Sequence, residues 1–264
     1  MYNRRSRGIS PVILVALVMA GAALFRYCAN SSVNEITGEK QHISLSPEQE
    51  IAMGLQSAPQ MAAEFGGLSR NPQATALVQK VGTAIVQNST AAKTPYRYNF
   101  HLLADPATVN AFALPGGQIF ITEGLLKRLD TEDQLAGVLG HEVGHVVARH
   151  SAEKLAQMEL AQGLTGAVTM ATYDPGGINS GAYIAQAVSN MLQLKYGRDQ
   201  ELQSDDLGVR FMLEAGYEPE ALIDVMAILA EASGPNQTPE FQSTHPSPEN
   251  RAEQIRKAIE KYRK

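Results

Sequence analysis

Cysteine is almost absent from this chain, which has one, at position 28, in 264 residues. An intramolecular disulfide is therefore excluded, and so is a metal site built from several thiolates, because each needs at least two cysteines. Positive charge is also scarce outside the N-terminus. Residues 1–28 carry four arginines and no acidic residue, so the other residues sum to −9 within the overall net charge of −5. Such an acidic body is poorly suited to binding phosphates, and we predict no nucleic-acid partner.

The composition is otherwise that of a globular protein, with 44% hydrophobic and 19% charged residues. This balance argues against a disordered or fibrous chain, and the length is sufficient to bury a sizeable core. No internal repeat is visible, and we expect no helical-repeat module after the body of the chain.

The N-terminus combines a basic start with an apolar run. Three arginines among the first seven residues precede the uncharged residues 8–25, a pattern typical of an export signal. We predict that residues 1–28 are a signal peptide or a signal anchor and that the body lies in the periplasm. Cleavage after Ala22 would give a soluble product. Without cleavage, residues 8–25 anchor the protein to the inner membrane, with the body outside the cytoplasm.

The remainder of the chain divides into a linker and one domain. Residues 29–45 are polar and mixed, as in a linker, and Ser46 followed by a proline is a helix start that opens a domain over residues 46–264. Alternating apolar residues predict short strands within 96–122, and helical patterns fill most of the remainder. We therefore predict an α+β, predominantly helical fold with a small β-sheet. Residues 152–195 form either a mobile lid or a packed helical hairpin.

The strongest functional signal is a histidine pair on a helix. A helix that begins after the capping residue Thr131 carries His141, Glu142 and His145. Residues four apart lie on one helix face, so both imidazoles can bind one metal ion, with Glu142 beside it. Zinc suits nitrogen ligands best. Residues 141–145, here called the pentad, have apolar neighbours in the sequence, which predict a buried helix. A buried helix favours a metal site over a solvated polar face.

The third ligand is either a later histidine or a carboxylate. The extended pattern with a third histidine is absent, because Ala148 and Ser151 occupy the positions that it needs and His150 is out of register. Glu201 and Asp205 lie four apart on a later helix. We predict Glu201 as the third zinc ligand and Asp205 as the group that orients a metal-bound imidazole.

Together these motifs resemble a known family. The motifs are Asn-Ala-Phe-Ala-Leu-Pro-Gly-Gly at 110–117, His-Glu-Val-Gly-His at 141–145, Glu201 with Asp205, and Thr244-His245-Pro246 with Arg251. In combination they are similar to the motifs of the HtpX-like and CaaX prenyl protease family of gluzincin zinc endopeptidases. The resemblance extends over about residues 46–262. It is to the exported single-domain bacterial branch, which is BepA-like and YcaL-like, and it implies a zincin-like metalloprotease fold.

The chemistry predicted for this site is peptide-bond hydrolysis. Zinc activates a water molecule, and Glu142 acts as the general base that accepts its proton. The strand that contains Asn110 and Ala111 precedes the helix of the histidine pair. As an exposed edge it can pair with an extended peptide, so we assign both residues to substrate binding. A plain core strand is the alternative.

His245 lies in a proline-rich loop before a helix, and two roles stay open for it. It either stabilises the oxyanion of the reaction or occupies the open zinc position and keeps the enzyme latent. We favour the first role, which makes His245 a catalytic residue beside Glu142. Arg251, on the following helix, is assigned to substrate binding and can share the oxyanion role.

The sequence as a whole predicts a zinc-dependent metalloendopeptidase with one zinc ion per chain. Its expected substrates are proteins or peptides, above all misfolded envelope proteins, and a retained N-terminus would associate it with the membrane. One alternative is a chaperone-like binding protein with a structural or vestigial zinc site. Glu142 argues against it, since a structural site needs no general base. A zinc hydrolase of small molecules is a further alternative, which the edge strand disfavours.

Overall fold

The computed structural model describes residues 11–171, 196–232, 241, 245 and 250–263. These residues divide into two units. The first holds the described residues up to Ser44 and those of the segment that begins at Ala152, and the second holds Leu45–Ser151 and the described residues from 196 onward. The segment that begins at Ala152 lies within the range 46–264 expected for one domain, and that domain boundary stays a prediction.

The first unit contains the N-terminal helix α1, Pro11–Ala29. Of the described helices, α1 alone is long and apolar enough to cross a bilayer, and a signal sequence near an N-terminus has the same properties. Large apolar side chains of α1, such as Leu17, Val18 and Phe25, are exposed. The helix therefore fits a signal or an anchor.

The residues after α1 form a hairpin where a plain linker was expected. β1, Ser31–Val33, pairs antiparallel with β2, Lys40–His42. Between them, the side chain of Asn34 accepts hydrogen bonds from the backbone N–H groups two and three residues further on, at 2.9 and 3.1 Å. Gly38 completes the turn with a φ of 73°. The polar composition of residues 29–45 therefore reflects a turn between two short strands.

The second unit is mainly helical. Its helices are α2 (Pro47–Glu64), α3 (Pro72–Gln87), a 3-10 turn (Thr90–Lys93), α4 (Glu123–Leu126), α5 (Glu132–Val147), α7 (Arg198–Ala215), α8 (Ala221–Glu231) and α9 (Arg251–Tyr262). Helix α6, His150–Ala171, starts in this unit, and its residues from Ala152 onward belong to the first unit. Residues 172–195, the rest of the expected lid or hairpin, lie outside the described residues.

Three of these helices begin at capping residues, and two of the caps, Ser46 and Thr131, are those expected from the sequence. Ser46, Asn71 and Thr131 are the N-caps of α2, α3 and α5, and each side chain accepts a hydrogen bond from the backbone N–H three residues further on. Such caps satisfy backbone donors that have no partner within the helix.

A three-stranded sheet lies among these helices. It contains β3 (Asn99–Leu103), β4 (Ala111–Leu114) and β5 (Gln118–Thr122) in the order β3–β5–β4. β3 runs parallel to β5, and β4 runs antiparallel to it. Gly116 and Gly117 in the turn from β4 to β5 have φ values of 77° and 102°, which favour glycine. β4 is an edge strand of the described sheet and precedes α5. The predicted α+β, predominantly helical fold is therefore confirmed.

Helix α5 is buried on all sides, since every residue from Gln134 to Val147 is buried. It packs against α7 at very short range. A Cβ atom on Gly144 would lie 2.9 Å from the backbone oxygen of Ser204, and one on Gly208 would lie 3.1 Å from the backbone nitrogen of His141. Only glycine permits so close an approach, which brings functional residues of the two helices face to face.

Candidate metal centre

Four buried side chains converge at the contact between α5 and α7. His141 and His145 come from α5, Glu201 from the first turn of α7, and His245 from the chain before α9. Each offers one ligand atom, and these atoms lie within 4.8 Å of one another. All four residues are at most 1% exposed. The structure thus brings together the histidine pair and the carboxylate expected from the sequence.

The spacing of the ligand atoms fits a tetrahedral zinc ion. The Nε2 atoms of His141 and His145 are 3.1 Å apart. Glu201 places Oε2 3.5 Å from His141 Nε2 and Oε1 3.4 Å from His145 Nε2. The Nδ1 atom of His245 lies 3.0 Å from Glu201 Oε1. Ligand atoms bound tetrahedrally at about 2.0–2.1 Å would lie roughly 3.3–3.4 Å apart.

Several buried polar atoms in this cluster have no hydrogen-bond partner among the described residues. They are both carboxylate oxygens of Glu142, Oε2 of Glu201 and Nε2 of His245. An unpaired buried carboxylate is unfavourable by several kcal/mol unless it binds a cation, a proton or water. The donor set therefore has the chemistry of a cation site.

The two histidines of the pair have different basicities. Burial disfavours a charged His141, but the hydrogen bonds and negative charges of Asp205 and Glu201 raise its pKa to about 9. Burial lowers the pKa of His145 well below its usual value, with Glu201 opposing that effect. The difference arises because only His141 also lies against Asp205.

The pKa values of Glu201 and Glu142 are shifted in opposite directions. Burial opposes ionisation of Glu201, but the charge of His245 and hydrogen bonds from the three surrounding imidazoles lower its pKa. Glu142 has no such hydrogen bonds, and burial raises its pKa above the usual value, against the attraction of His245 and His141. Glu201 is therefore suited to remain ionised as a ligand, whereas Glu142 is suited to accept a proton.

Asp205 and Arg251 lie behind His141. The Nδ1 atom of His141 is 2.8 Å from Asp205 Oδ1, so its N–H donates to that carboxylate. Arg251 donates from Nε to Asp205 Oδ2 at 2.6 Å and from Nη2 to Oδ1 at 2.9 Å. Arg251 is 4% exposed. The guanidinium of Arg251 therefore binds Asp205. The sequence pattern instead predicts a substrate contact for this residue.

His245 is held in the cluster by Phe241. Its backbone N–H donates to the carbonyl oxygen of Phe241 at 2.8 Å. The two rings stack with centroids 4.4 Å apart and planes inclined by 15°. On the other side, His245 Nε2 lies 3.7 Å from Glu142 Oε1. His245 therefore stands between the general-base candidate and the carboxylate ligand.

Asn110 and Ala111 lie at the start of the edge strand β4 and contribute no atom to the cluster. Both are buried. The backbone of Asn110 pairs with Thr122, whose Oγ1 accepts its N–H at 3.2 Å and whose N–H donates to its carbonyl at 3.0 Å. Asn110 Oδ1 has no hydrogen-bond partner among the described residues. The backbone N–H of Phe241 donates to the carbonyl of Val109 at 3.3 Å, so this end of the strand already has a neighbour.

Sequence reasoning missed three residues that contact the histidine pair. Tyr196 stacks on His145 with centroids 4.0 Å apart, and its hydroxyl lies 3.0 Å from Ser151 Oγ. His150 Nδ1 lies 2.9 Å from His145 Nδ1, and the ring of Phe241 lies beside that of His141 with centroids 6.2 Å apart. Of these three residues, only His150 has a sequence signal for a place in the site, because it lies five residues after His145. The ligand spacing tests it as a metal ligand and not as a neighbour of His145.

Comparison with known proteins identifies related sequences. The model of peptidase family M48 matches residues 72–259. A "Beta-barrel assembly-enhancing protease" of Yersinia pestis is 28% identical over 256 residues, which are 94% of this chain and 51% of that protein. The protein of the same name in Escherichia coli K12 is 25% identical over 269 residues, which are 100% of this chain and 54% of that protein.

A eukaryotic protein is similar at the same level. "Mitochondrial metalloendopeptidase OMA1" of Schizosaccharomyces pombe is 29% identical over 243 residues, which cover 90% of this chain and 69% of that protein. The chain thus spans about half the length of the two bacterial relatives and about two thirds of the yeast one.

We expect Asp205→Asn to weaken zinc binding by about 10–100-fold, because the charge that holds His141 and pairs with Arg251 is removed. Competition with a chromophoric chelator measures the affinity. Asp206→Asn is the matched control, since this neighbouring acid pairs with Lys261 at 3.0 Å and is more exposed. Equal zinc affinity in Asp205→Asn and wild type would contradict the orienting role of Asp205.

Proposed function

The chain belongs to peptidase family M48, and on this premise we propose that it is a zinc-dependent endopeptidase that hydrolyses peptide bonds of protein substrates. One observation carries the proposal. The buried ligand set of His141, His145 and Glu201 lies on the same two packed helices as Glu142, whose carboxylate has no hydrogen-bond partner among the described residues. The family implies a metal ion, and two imidazoles with one carboxylate favour zinc.

In this mechanism Glu142 moves the proton. His141, His145 and Glu201 would hold the zinc ion, which when bound would supply a Lewis acid and lower the pKa of water to about 7. Glu142 accepts a proton from the attacking water and donates it to the leaving nitrogen, and the second proton of the water also passes to that nitrogen, so that one water and one peptide bond yield a carboxylate and an ammonium group. The raised pKa of Glu142 supports this role, because a base that must also return the proton works best near neutral pH.

The same helices support the ligands. We assign Asp205 to orienting His141, whose N–H it accepts at 2.8 Å, so that Nε2 faces the site. Arg251 neutralises Asp205 through two hydrogen bonds, which favours a supporting role behind His141 over a substrate contact. A purely structural metal site would have no use for Glu142, which disfavours the chaperone-like alternative.

His245 is the fourth potential ligand, and we propose that it binds the metal in the resting enzyme. Its Nδ1 lies 3.0 Å from Glu201 Oε1 and 3.4 Å from His141 Nε2, distances typical of two ligands on one zinc ion. An imidazole in this position would exclude water from the metal. His245 must therefore withdraw before hydrolysis, after which it is available to stabilise the oxyanion.

The substrate is proposed to pair with the edge strand β4, next to Asn110 and Ala111. An extended peptide gains backbone hydrogen bonds along such an edge. The hydrogen bond from the backbone N–H of Phe241 to the carbonyl of Val109, just before β4, supports this arrangement, because it shows that a backbone donor can reach this end of the strand. Withdrawal of Phe241 and His245 would then free the metal position and the Val109 carbonyl together.

Misfolded envelope proteins are the substrates that we propose. Support comes from the names of the bacterial relatives, which denote a protease that enhances β-barrel assembly. We further propose that the body is exported and that α1 is retained as an anchor. Ala16 of α1 is 7% exposed, and a Cβ atom on Gly166 of α6 would lie 3.9 Å from Met19. Ala16 and Met19 precede position 22, so cleavage after Ala22 would remove both residues and their contacts.

Glu142→Gln should retain one zinc ion per chain and lose peptidase activity by at least about 10²-fold, since the amide cannot accept the proton. Metal analysis and digestion of casein measure the two properties. Glu132→Gln, on the same helix but in a surface pair with Lys80, should keep both. Substantial activity in the zinc-loaded Glu142→Gln protein would refute the mechanism.

His245→Ala should increase peptidase activity or self-cleavage, because a resting competitor of substrate is removed. X-ray absorption of the zinc protein should count three imidazoles in wild type and two in the variant, while His101→Ala, outside the cluster, should leave three. If kcat instead falls by about 10²–10³ with zinc retained and two imidazoles in both proteins, His245 acts only on the oxyanion.

Full-length protein should remain in the membrane fraction after alkaline carbonate extraction, because α1 stays attached. Protease added after outer-membrane permeabilisation should degrade the body. A mature chain whose N-terminal sequence starts near Ala23 would show that α1 is a cleaved signal, and protein that resists protease in intact spheroplasts would rule out export.

A further inference from the structure

We propose that His150 is a positioning residue that fixes the ring of the metal ligand His145 by accepting its Nδ1–H. The proposal rests on the metal site of the proposed function and assigns a part of it to a residue that spacing excludes as a ligand. His150 is the first residue of α6 and is 1% exposed.

The two nitrogens of His145 have different surroundings. Nε2 faces the cluster, 3.1 Å from His141 Nε2 and 3.4 Å from Glu201 Oε1. Nδ1 points away from it and lies 2.9 Å from His150 Nδ1. A neutral imidazole that binds a metal through Nε2 carries its proton on Nδ1. At this distance His150 must therefore present a lone pair on Nδ1.

The surroundings of His150 favour that tautomer. Its Nε2 lies 2.7 Å from Gln203 Oε1, an acceptor that requires the proton of His150 on Nε2. The hydroxyl of Ser204, 3.3 Å from His150 Nδ1, can donate to the same lone pair. Gln203 and Ser204 lie on α7, which also carries Glu201. A directed chain of hydrogen bonds thus runs from the His145 ligand through His150 to the helix of the carboxylate ligand.

The backbone places His150 for this contact. Arg149, between α5 and α6, has a φ of 57°, a left-handed conformation that non-glycine residues seldom adopt. Its side chain is held by the buried Glu50 and donates to the carbonyl of Leu45 at 2.8 Å. This anchored corner turns the chain back on itself, so that a residue five positions after His145 reaches the outer side of its ring.

Each ligand of the histidine pair therefore has its own support. His141 is held by the Asp205 carboxylate and His145 by a neutral imidazole. Tyr196 stacks on the face of His145, which restricts tilting of the ring but leaves rotation in its plane. A hydrogen bond at Nδ1 restricts that rotation, and loss of such a bond to a metal ligand typically weakens binding by about 10–100-fold.

Zinc affinity of full-length variants, measured by chelator competition, tests this role. We expect His150→Phe, which keeps a buried ring without an acceptor, to bind zinc about 10–100-fold more weakly than wild type. His150→Asn, whose Oδ1 replaces Nδ1, should recover most of that affinity. The control is His101→Phe, because His101 makes a similar bond to Gln118 at 2.9 Å on β3 and should lose no zinc affinity.

A second measurement needs no folded variant. Ring ¹⁵N shifts of the zinc-loaded wild-type protein should show His145 protonated on Nδ1 and His150 on Nε2. A third measurement compares the folded variants: the cobalt-substituted wild-type protein and His150→Asn should share one visible spectrum, which His150→Phe should alter.

Several results would overturn the proposal. These are unchanged zinc affinity in His150→Phe, equal losses in His150→Asn and His150→Phe, or a proton on Nδ1 of His150. Wild-type protein that binds no zinc would be a different failure, since it would refute the proposed metal site and this inference with it.

Discussion

The close approach of α5 and α7 is the constraint on which the functional site depends. Side chains at Gly144 and Gly208 would collide with backbone atoms of the opposite helix, at 2.9 and 3.1 Å. Glycine within a helix is less favourable than alanine by about 1 kcal/mol, so its presence at these positions reflects the contact and not helix formation. Larger residues would separate the helices and move the histidine pair away from Glu201.

Close packing also buries every ionisable group of the site, and the partners of these groups differ. Asp205 faces the Arg251 guanidinium, and Glu201 faces three imidazoles. The carboxylate of Glu142 has no hydrogen bond among the described residues. Because a carboxylate without such bonds binds a proton more readily, burial raises the pKa of Glu142, whereas the imidazoles around Glu201 lower the pKa of that carboxyl.

The supporting residues come from parts of the chain that local pattern does not connect. His245 and Phe241 precede α9, His150 follows the corner at Arg149, and Tyr196 precedes α7. Each contacts a different side of the ligand cluster. The site therefore forms where α5, α7 and the described residues His150, Tyr196, Phe241 and His245 meet, and no single motif contains it.

The sequence by itself determined several helix starts and one strand, and it indicated the ligand types. Caps at Ser46 and Thr131 predict the starts of α2 and α5, and alternating apolar residues predict β3, because these signals act between neighbours in the chain. The spacing of His141 and His145 determines their common helix face in the same way. Tertiary structure alone decided the rest. Arg251 turns to Asp205 and His150 to His145 because of how helices far apart in sequence pack together, which no local periodicity encodes.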